Sequence, residues 1–598
     1  MNLYLLLFDD LMRRLRWRFP VLIALTALVG ISEGVSIVLL LPLLSRIGVA
    51  AASGQGVATK VIDKCLGFIG ANSTFEILAV IIAVATIQLG LSLALNWWSV
   101  RLARRYQAQR QLEMFKAFMG AKWSFITGRK AGELTNAIIT ESERLGRAFT
   151  ITLSLLGSAV VSVIYVAMSL LIAWQATLSL IGFAFAAALT MVNLYRKSYS
   201  AGQSLAPLSA ELQAMLDEQF AGAKFIKASA GVDRAAARIE PLVHKLEKAN
   251  AFGGAMPGMV RGLLEYMAFI GLAIILVLAS KGMGVAPGNV VVVLALFGRL
   301  FPRLTNVQAQ LHYLNGNLPA LKAIDQLQTA ADAEAERMDS ASPPLKIDLP
   351  ATLTIRNVGV KFDERTVLDQ INMTVPIPGL VAVVGRSGAG KSTLVHTLLG
   401  LVEPTAGSIR LGNHELASTP LSGWRQAIGY VPQETILFHA SIRDNIAFVK
   451  PAASEAEIQL AARRAHAYDF IEAWPDRFDT VIGDQGVKLS GGQRQRLGIA
   501  RALLAKPILL LMDEAMSALD GESEAELLGT IEELRKEMGI MLVAHRLASV
   551  QGADSIYVIE DGRVVETGTW NELMGRRARL HALAEAQSLP SGLSVATH

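Results

Sequence analysis

The sequence predicts two dissimilar parts in one chain: an α-helical region that crosses a membrane, then an α/β region built on a parallel sheet. Three observations lead there. Of 598 residues, 52% are hydrophobic and the mean hydropathy is +0.40, above the range of ordinary globular proteins. The long apolar runs are confined to the first 330 residues. Beyond them, short runs apolar on both faces, such as Leu380-Val381-Ala382-Val383-Val384 and Ile508-Leu509-Leu510-Leu511-Met512, alternate with helical segments, as buried parallel strands do.

Composition also excludes. A single cysteine, Cys65, rules out an intrachain disulfide framework, a Cys-based zinc finger and an iron–sulfur cluster held by this chain alone. A net charge of +5 would hint at nucleic acid in a soluble protein, but the lysines and arginines flank apolar spans, so membrane topology explains it better and no nucleic-acid partner is expected.

Residues 1–18 read as an amphipathic elbow helix on the inner membrane surface, with Leu3, Leu6, Leu7, Leu11 and Leu15 set against Asp9, Asp10 and the arginines. A cleaved signal peptide is disfavoured: its apolar core would begin at Phe19 and run too long, which leaves Ala50–Ala52 as a loop. Residues 19–330 form the predicted transmembrane domain, with six candidate spans at 19–45, 75–100, 149–173, 175–195, 258–280 and 284–305. The third and fourth meet near Trp174. Arg13, Arg14, Arg16 and Arg18 precede the first span, and the 101–147 and 196–250 connections are rich in Lys and Arg, so both termini are expected on the cytoplasmic side. Those connections stay helix-like, and the spans are expected to continue out of the bilayer as long hairpins.

Charges within the spans are costly, about 2.5–3.5 kcal/mol each at the bilayer centre on insertion scales. Glu33 lies mid-span in the first helix, Arg261 and Glu265 sit four apart on the fifth, and Arg299 and Arg303 sit four apart on the sixth. Two readings stay open. In one, Arg261 pairs with Glu265, Arg299 and Arg303 reach for the interface and Glu33 bonds a neighbouring helix. In the other, these residues line a cavity that receives an anionic head group.

Residues 331–349, with Ser342-Pro343-Pro344, read as a linker that cannot remain helical. The domain expected over 350–582 contains Gly385-Arg386-Ser387-Gly388-Ala389-Gly390-Lys391-Ser392-Thr393 directly after an apolar strand and before a helical run. This is a P-loop in its proper setting: backbone N–H groups close around phosphates at a helix N-terminus, Lys391 reaches the β- and γ-phosphates, and the Ser392 hydroxyl binds Mg²⁺. A second strand, 122 residues after Lys391, delivers Asp513 and Glu514 at its C-terminal tip. Asp513 fits support of Mg²⁺, and Glu514 fits polarisation of an attacking water. Leu489-Ser490-Gly491-Gly492-Gln493, with Ser490 23 residues before Asp513, opens a helical run and offers a second phosphate-binding turn.

With these motifs in this order, the chain resembles a half-transporter of the ATP-binding cassette (ABC) exporter family, from the elbow helix to about residue 580. The fold implied is a six-span helical domain with long cytoplasmic extensions, fused to an α/β P-loop NTPase domain of ABC type. The resemblance gives Phe362 the aromatic position that stacks on adenine, although tyrosine is commoner there. It makes Gln433 the residue sensing Mg²⁺ and the γ-phosphate, His545 the switch histidine, and Asp520, in Ser517-Ala518-Leu519-Asp520, part of the loop that addresses the opposite site of a dimer. Ile482-Gly483-Asp484-Gln485-Gly486 matches the segment touching the partner's cytoplasmic helices, and Gly132-Glu133-Leu134 and Glu218-Gln219-Phe220-Ala221-Gly222 are similar to segments of the cytoplasmic hairpins. Met516 departs from the threonine common in the family; altered packing, with hydrolysis retained, is expected.

The resemblance implies ATP and Mg²⁺ as cofactors and a dimer in which Lys391 of one subunit works with Ser490 of the other. A homodimer is preferred, with a heterodimer open. It also implies residence in the bacterial inner membrane and ATP-driven export or flipping of an amphipathic substrate: a lipid, lipid-linked saccharide, hydrophobic peptide or drug-like compound. A processed antimicrobial-type peptide is an alternative, since no cysteine-peptidase domain precedes the elbow; an ATP-gated channel, a regulatory subunit or an importer on the same fold are others. The tail 583–598 is expected to be flexible.

Overall fold

The computed structural model describes residues 3–40, 42–43, 64, 68, 73–203, 205–280, 287–336, 345–483, 489–516 and 521–588. The chain separates into two compact units. One comprises Met1–Met119 and Lys130–Ala330, the other Gly120–Arg129 and Ala331–His598. Placing Gly120–Arg129 with the C-terminal part is a finding that the sequence did not announce.

Among the described residues the first unit is built of helices. Its principal elements are α1 (Leu3–Leu15), α2 (Arg18–Val38), α3 (Thr74–Met119), α5 (Ser142–Gln203), α6 (Leu205–Ala221), α7 (Ala223–Ala228), α8 (Val232–Ser280), α9 (Pro287–Asn317) and α10 (Pro319–Ala333), the last running slightly past the unit's boundary, with a short helix (Ala131–Asn136) and a π-helical turn (Ala137–Glu141) leading into α5. The short α4 (Trp123–Thr127) lies in the second unit. At 1.5 Å per residue, the 46 residues of α3 extend to about 69 Å, far beyond a ~30 Å hydrocarbon layer. That length accommodates the expected hairpin arm.

Helix α5 holds 62 residues, yet the hydroxyls of Ser169 and Thr177 lie 2.8 Å apart. Eight residues of straight helix would separate them by about 12 Å along the axis. The chain therefore bends sharply somewhere between them, in the stretch that includes Trp174. Among the described residues three helices are long and apolar enough to cross a membrane, within Arg18–Val38, Thr74–Met119 and Gly132–Ile172. Many side chains of the later candidates lie outside the described residues.

Small residues let α2 approach α5. A Cβ on Gly30 would stand 2.7 Å from Val161 Cγ2, and one on Gly34 would stand 2.4 Å from Met168 Sδ. This four-residue spacing of glycines is a recurrent device where apolar surroundings give helices no hydrophobic reason to associate. Helix α1 differs from a purely surface-lying elbow. Leu7, Leu11 and Leu15 are buried against the protein, while Leu5, Phe8 and Met12 are exposed. Asp10 and Arg14 tie it to α3: Arg14 donates to both oxygens of Glu113 at 2.9 Å, and Tyr106 donates to Asp10.

The second unit contains two sheets. The smaller, in the order β2-β1-β4-β5, is antiparallel and joins β1 (Ala351–Phe362), β2 (Arg365–Ile377), β4 (Ala406–Leu411) and β5 (His414–Glu415). The larger, in the order β10-β9-β3-β8-β7-β6, is parallel except for its last hairpin. It comprises β3 (Gly379–Val384), β6 (Ile428–Val431), β7 (Leu509–Asp513), β8 (Gly539–Ala544), β9 (Ser555–Glu560) and β10 (Arg563–Gly568). Every residue of β3, β7 and β8 is buried, as continuous apolar runs require. Crossing helices include α11 (Lys391–Leu398), α12 (Leu421–Gln426), α13 (Gly491–Leu504) and α14 (Gly521–Leu534). The last helix, α15 (Arg579–Ser588), corrects the expected tail: residues 583–588 continue it, with Leu580 buried and Leu583 packed on the core.

Candidate functional site

Three parallel strands bring the predicted nucleotide residues together. β3 ends at Val384 beside Ala544 of β8, and Asp513 of β7 is in register with Val543. The tips of β3, β7 and β8 thus present the P-loop, Asp513-Glu514 and His545 at the carboxyl edge of the sheet, where open α/β folds bind ligands.

The loop's glycines have geometric reasons. A Cβ at Gly385 would meet the Ile559 carbonyl oxygen at 2.3 Å, and Gly390 holds φ +102° as the residue before α11. That turn aims the first amides of α11 into a cavity of about 590 Å³ lined by Ser387, Gly388, Gly390, Lys391, Ser392, Thr393, Gln433, Glu514 and His545, with Val367 and Arg546. A cradle of backbone N–H groups at a helix N-terminus suits phosphate. Gly385 and Arg386 instead offer their carbonyls to Lys391 Nζ, at 2.9 and 3.1 Å, and Ala389 is buried beneath the loop.

Lys391 Nζ lies 3.7 Å from Glu514 Oε1, and Gln433 Nε2 donates to Glu514 Oε2 at 2.8 Å. Glu514 has φ +49°, with its N–H bonded to the Val543 carbonyl at 2.9 Å, so the strand's end turns its carboxylate into the cavity. Asp513 is buried behind it. Burial, reinforced by the charge of Glu514, pushes the Asp513 carboxyl above the ordinary carboxylate value, opposed by His396, a hydrogen bond from Ser392 and Lys391. Burial and the Asp513 charge push the nearby Tyr430 hydroxyl up to about 12. Asp513 Oδ1 is buried with no hydrogen-bond partner among the described residues. An orphaned carboxylate oxygen next to the Ser392 hydroxyl, with Gln433 lining the same cavity, is a set of oxygen donors that fits a hard cation such as Mg²⁺.

Other predicted residues lie apart. Ser490 caps α13, accepting from Gln493 N while Gln493 Oε1 accepts from Ser490 N at 3.0 Å. Leu489 is buried, and Leu489, Ser490, Gly491, Gly492 and Gln493 are not among the residues lining the Lys391 cavity. Phe362 closes β1 with its ring half exposed. Asp520 and Asp484–Gly486 fall outside the described residues. Met516 is buried in the core, against the back of the Glu514–His545 cluster. Sequence reasoning missed Val367 and Arg546; the latter's only signal was its place after His545, and it donates to Glu524 at 2.7 Å.

In the helical unit, Glu33 accepts from Arg299 Nη1 at 3.3 Å and from Arg303 Nη2 at 2.5 Å. Arg303 also stacks over the Tyr165 ring, 5.6 Å from its centroid. Burial is uneven: the Glu33 side chain is 7% exposed and that of Arg299 65%. Glu33 thus bonds a neighbouring helix, as the first reading had it, but its partners are Arg299 and Arg303 themselves, 266 and 270 residues away. Arg261's side chain lies outside the described residues, and Glu265 is exposed.

Comparisons with known proteins agree with this geometry. Residues 368–517 match the family described as ABC transporter, and residues 23–304 match the ABC transporter transmembrane region. The chain is 31% identical over 500 residues to a β-(1→2)glucan export ATP-binding/permease protein of Rhodopseudomonas palustris, covering 81% of each. It is 30% identical over 543 residues to an ATP-dependent lipid A-core flippase of Ralstonia nicotianae, covering 88% of this chain and 90% of the relative. A bacterial Atm1-family ABC exporter solved with ATP bound shares the fold, with a TM-score of 0.76 at 24% identity over 98% of this chain and 100% of that one. With the P-loop, the strand-tip carboxylates and the helical membrane region each in place, the chain belongs to the ABC transporter family, membrane proteins in which ATP hydrolysis drives transport.

Proposed function

We propose that two copies of this chain form an exporter in a bacterial inner membrane, six spans each with cytoplasmic termini, which moves an anionic amphiphile such as a lipid or lipid-linked saccharide outward. The substrate class rests on one observation. Glu33 neutralises one positive charge of the Arg299–Arg303 pair, leaving the cluster cationic, and Arg299 stays largely exposed. Relatives named for glucan export and lipid A-core flipping are compatible with a saccharide-bearing or lipidic cargo.

In the hydrolytic step, phosphate oxygens of ATP take the place of the carbonyls that Lys391 now bonds. Glu514 orients and polarises the attacking water, Gln433 positions the Glu514 carboxylate, and His545 meets the γ-phosphate. Phe362 stacks on adenine. Ser392, Gln433 and Asp513 would hold Mg²⁺, which supplies neutralisation of phosphate charge. Ser490 and its glycines, remote from this chain's own P-loop cavity, close the γ-phosphate of the partner, with Asp520 in the adjoining loop. ATP binding then favours the clasped, outward-open state, and hydrolysis releases it.

The test is ATPase activity in nanodiscs with Arg299 and Arg303 both replaced by Gln. Stimulation by anionic phosphatidylglycerol should fall at least about threefold more than stimulation by neutral phosphatidylcholine, as the loss of charge-assisted contacts dictates. Equal responses would remove the anionic substrate while leaving ATP-driven transport intact.

A further inference from the structure

The second unit contains a polar node that the nucleotide motifs do not use. Helix α11 begins at the P-loop, and at its other end Trp424 Nε1 donates to Leu398 O at 2.7 Å, Arg425 Nε to Leu399 O at 3.0 Å and Arg425 Nη2 to Gly400 O at 3.2 Å. Trp424 is fully buried, and a guanidinium at a helix C-terminus complements the dipole there. The same guanidinium grips Glu336 with two prongs, Nη1 to Oε2 at 2.7 Å and Nη2 to Oε1 at 3.0 Å, and the Glu336 side chain is 7% exposed.

Glu336 is itself pinned by backbone. Its N–H donates to the Gly120 carbonyl at 2.8 Å, Lys122 N donates to Glu334 O at 2.8 Å, and Ala121 pairs with Ala335 as an antiparallel bridge. Lys122 Nζ also meets Glu403, just beyond α11, at 3.0 Å. Next in sequence comes α4, whose Phe125 is buried with Arg129 over its ring, 3.9 Å from the centroid. The two backbone segments joined here are consequential, because Gly120 directly follows α3 and Ala335 lies two residues after α10. Both helices that lead toward the spans therefore end at the turn that Arg425 holds.

We propose that Arg425 and Glu336 are positioning residues for transport, a strut that passes displacement of α11, when phosphate occupies its N-terminus, to the ends of α3 and α10. A planar fork on a buried carboxylate fixes direction as well as distance, which a lysine or an apolar contact does not. An eight-residue helix is stiff enough to carry the motion from its first turn to its last. Stability alone does not call for such a pair, since apolar residues of similar volume replace buried ion pairs with little loss. The strut is distinct from Gln433 and touches no nucleotide group.

The inference rests on the two-copy reading, and its test separates the two. In full-length protein carrying Cys65→Ala, spin labels at Gln551→Cys would report cassette separation across the dimer, and labels at Leu93→Cys on α3 would report separation in the membrane region. Distances are measured without nucleotide and with ATP and vanadate. In the paired variant Glu336→Leu with Arg425→Met, and in the milder Glu336→Gln, the cassette distance should shorten as in the parent, with KM for ATP within about twofold. The Leu93 shift should fall below about half of the parent's, as expected when a two-state element loses its link. A parental Leu93 shift in the variants would overturn the strut. If the parent's own Gln551 distance ignores nucleotide, the two-copy reading fails and takes the strut with it.

Discussion

The P-loop cavity and the Glu33–Arg299–Arg303 cluster both gather charges around a largely buried carboxylate, but they are assembled by different means. In the cavity, position follows from backbone register: β3, β7 and β8 lie side by side, so their tips must present Lys391, Asp513-Glu514 and His545 together. In the cluster, α2 meets α9 only because helices pack, and a carboxylate finds arginines 266 and 270 residues away. Hydrogen-bonded sheets tolerate change at a tip without losing the tip's location. Where packing brings helices together in an apolar medium, the charges on them must match, since an unpaired one is costly to hold.

The largest effect should come from the cavity. Glu514→Gln is expected to lower steady-state phosphate release at least about 100-fold while ATP stays bound, because the group that orients water is lost but the fold is not. Near-normal turnover by that variant would mean that another residue activates the water.

Next in size is the cluster. Glu33→Leu should destabilise the purified protein by about 3 kcal/mol, the low end for a broken buried pair, because Arg303 is left without its partner while Arg299 is largely exposed. Combining it with Arg299→Gln and Arg303→Gln should recover much of the loss in thermal unfolding. Additive damage would show that the three side chains do not act as a unit.

A smaller change tests whether packing places the cluster. Gly30→Ala puts a methyl 2.7 Å from Val161, a side chain with little rotamer freedom, and should cost about 1–3 kcal/mol by overpacking. Gly34→Ala should cost less, since the atom it meets is the flexible thioether of Met168. The reverse ranking, read from unfolding midpoints, would contradict the packing of α2 on α5.

The smallest is a pH effect in the cavity. Because burial raises the Asp513 pKa above its unfolded value, its favourable contribution is complete below the unfolded value and is lost as pH rises through the folded one. Asp513→Asn should therefore raise the unfolding midpoint of nucleotide-free protein at neutral pH, with the gain shrinking on acidification. A gain that grows as pH falls would reverse the assigned sign.

This contrast also explains what could be read in advance. The P-loop, the strand ending at Asp513 and the Ser490 turn each carry a local reason for their residues, so spacing located them. A bend in α5 was legible because the apolar run around Trp174 is too long for one crossing. The partner of Glu33 was not legible, since nothing near position 33 says which helix will lie opposite. Nor was the placement of Gly120–Arg129, whose tie to Glu336 joins segments more than two hundred residues apart. Helix α15 was missed beyond residue 582 because its polar composition hides a face that Leu580 and Leu583 anchor.

The hydroxyl pair of Ser169 and Thr177, 2.8 Å apart, ties the two arms of α5 together beside its bend. A staple so close to the bend allows little scissoring, and a disulfide engineered between the arms near it would be silent in any transport assay. In the proposed export cycle the opening seam is then expected elsewhere in the bundle, and spin labels on other helix pairs would locate it.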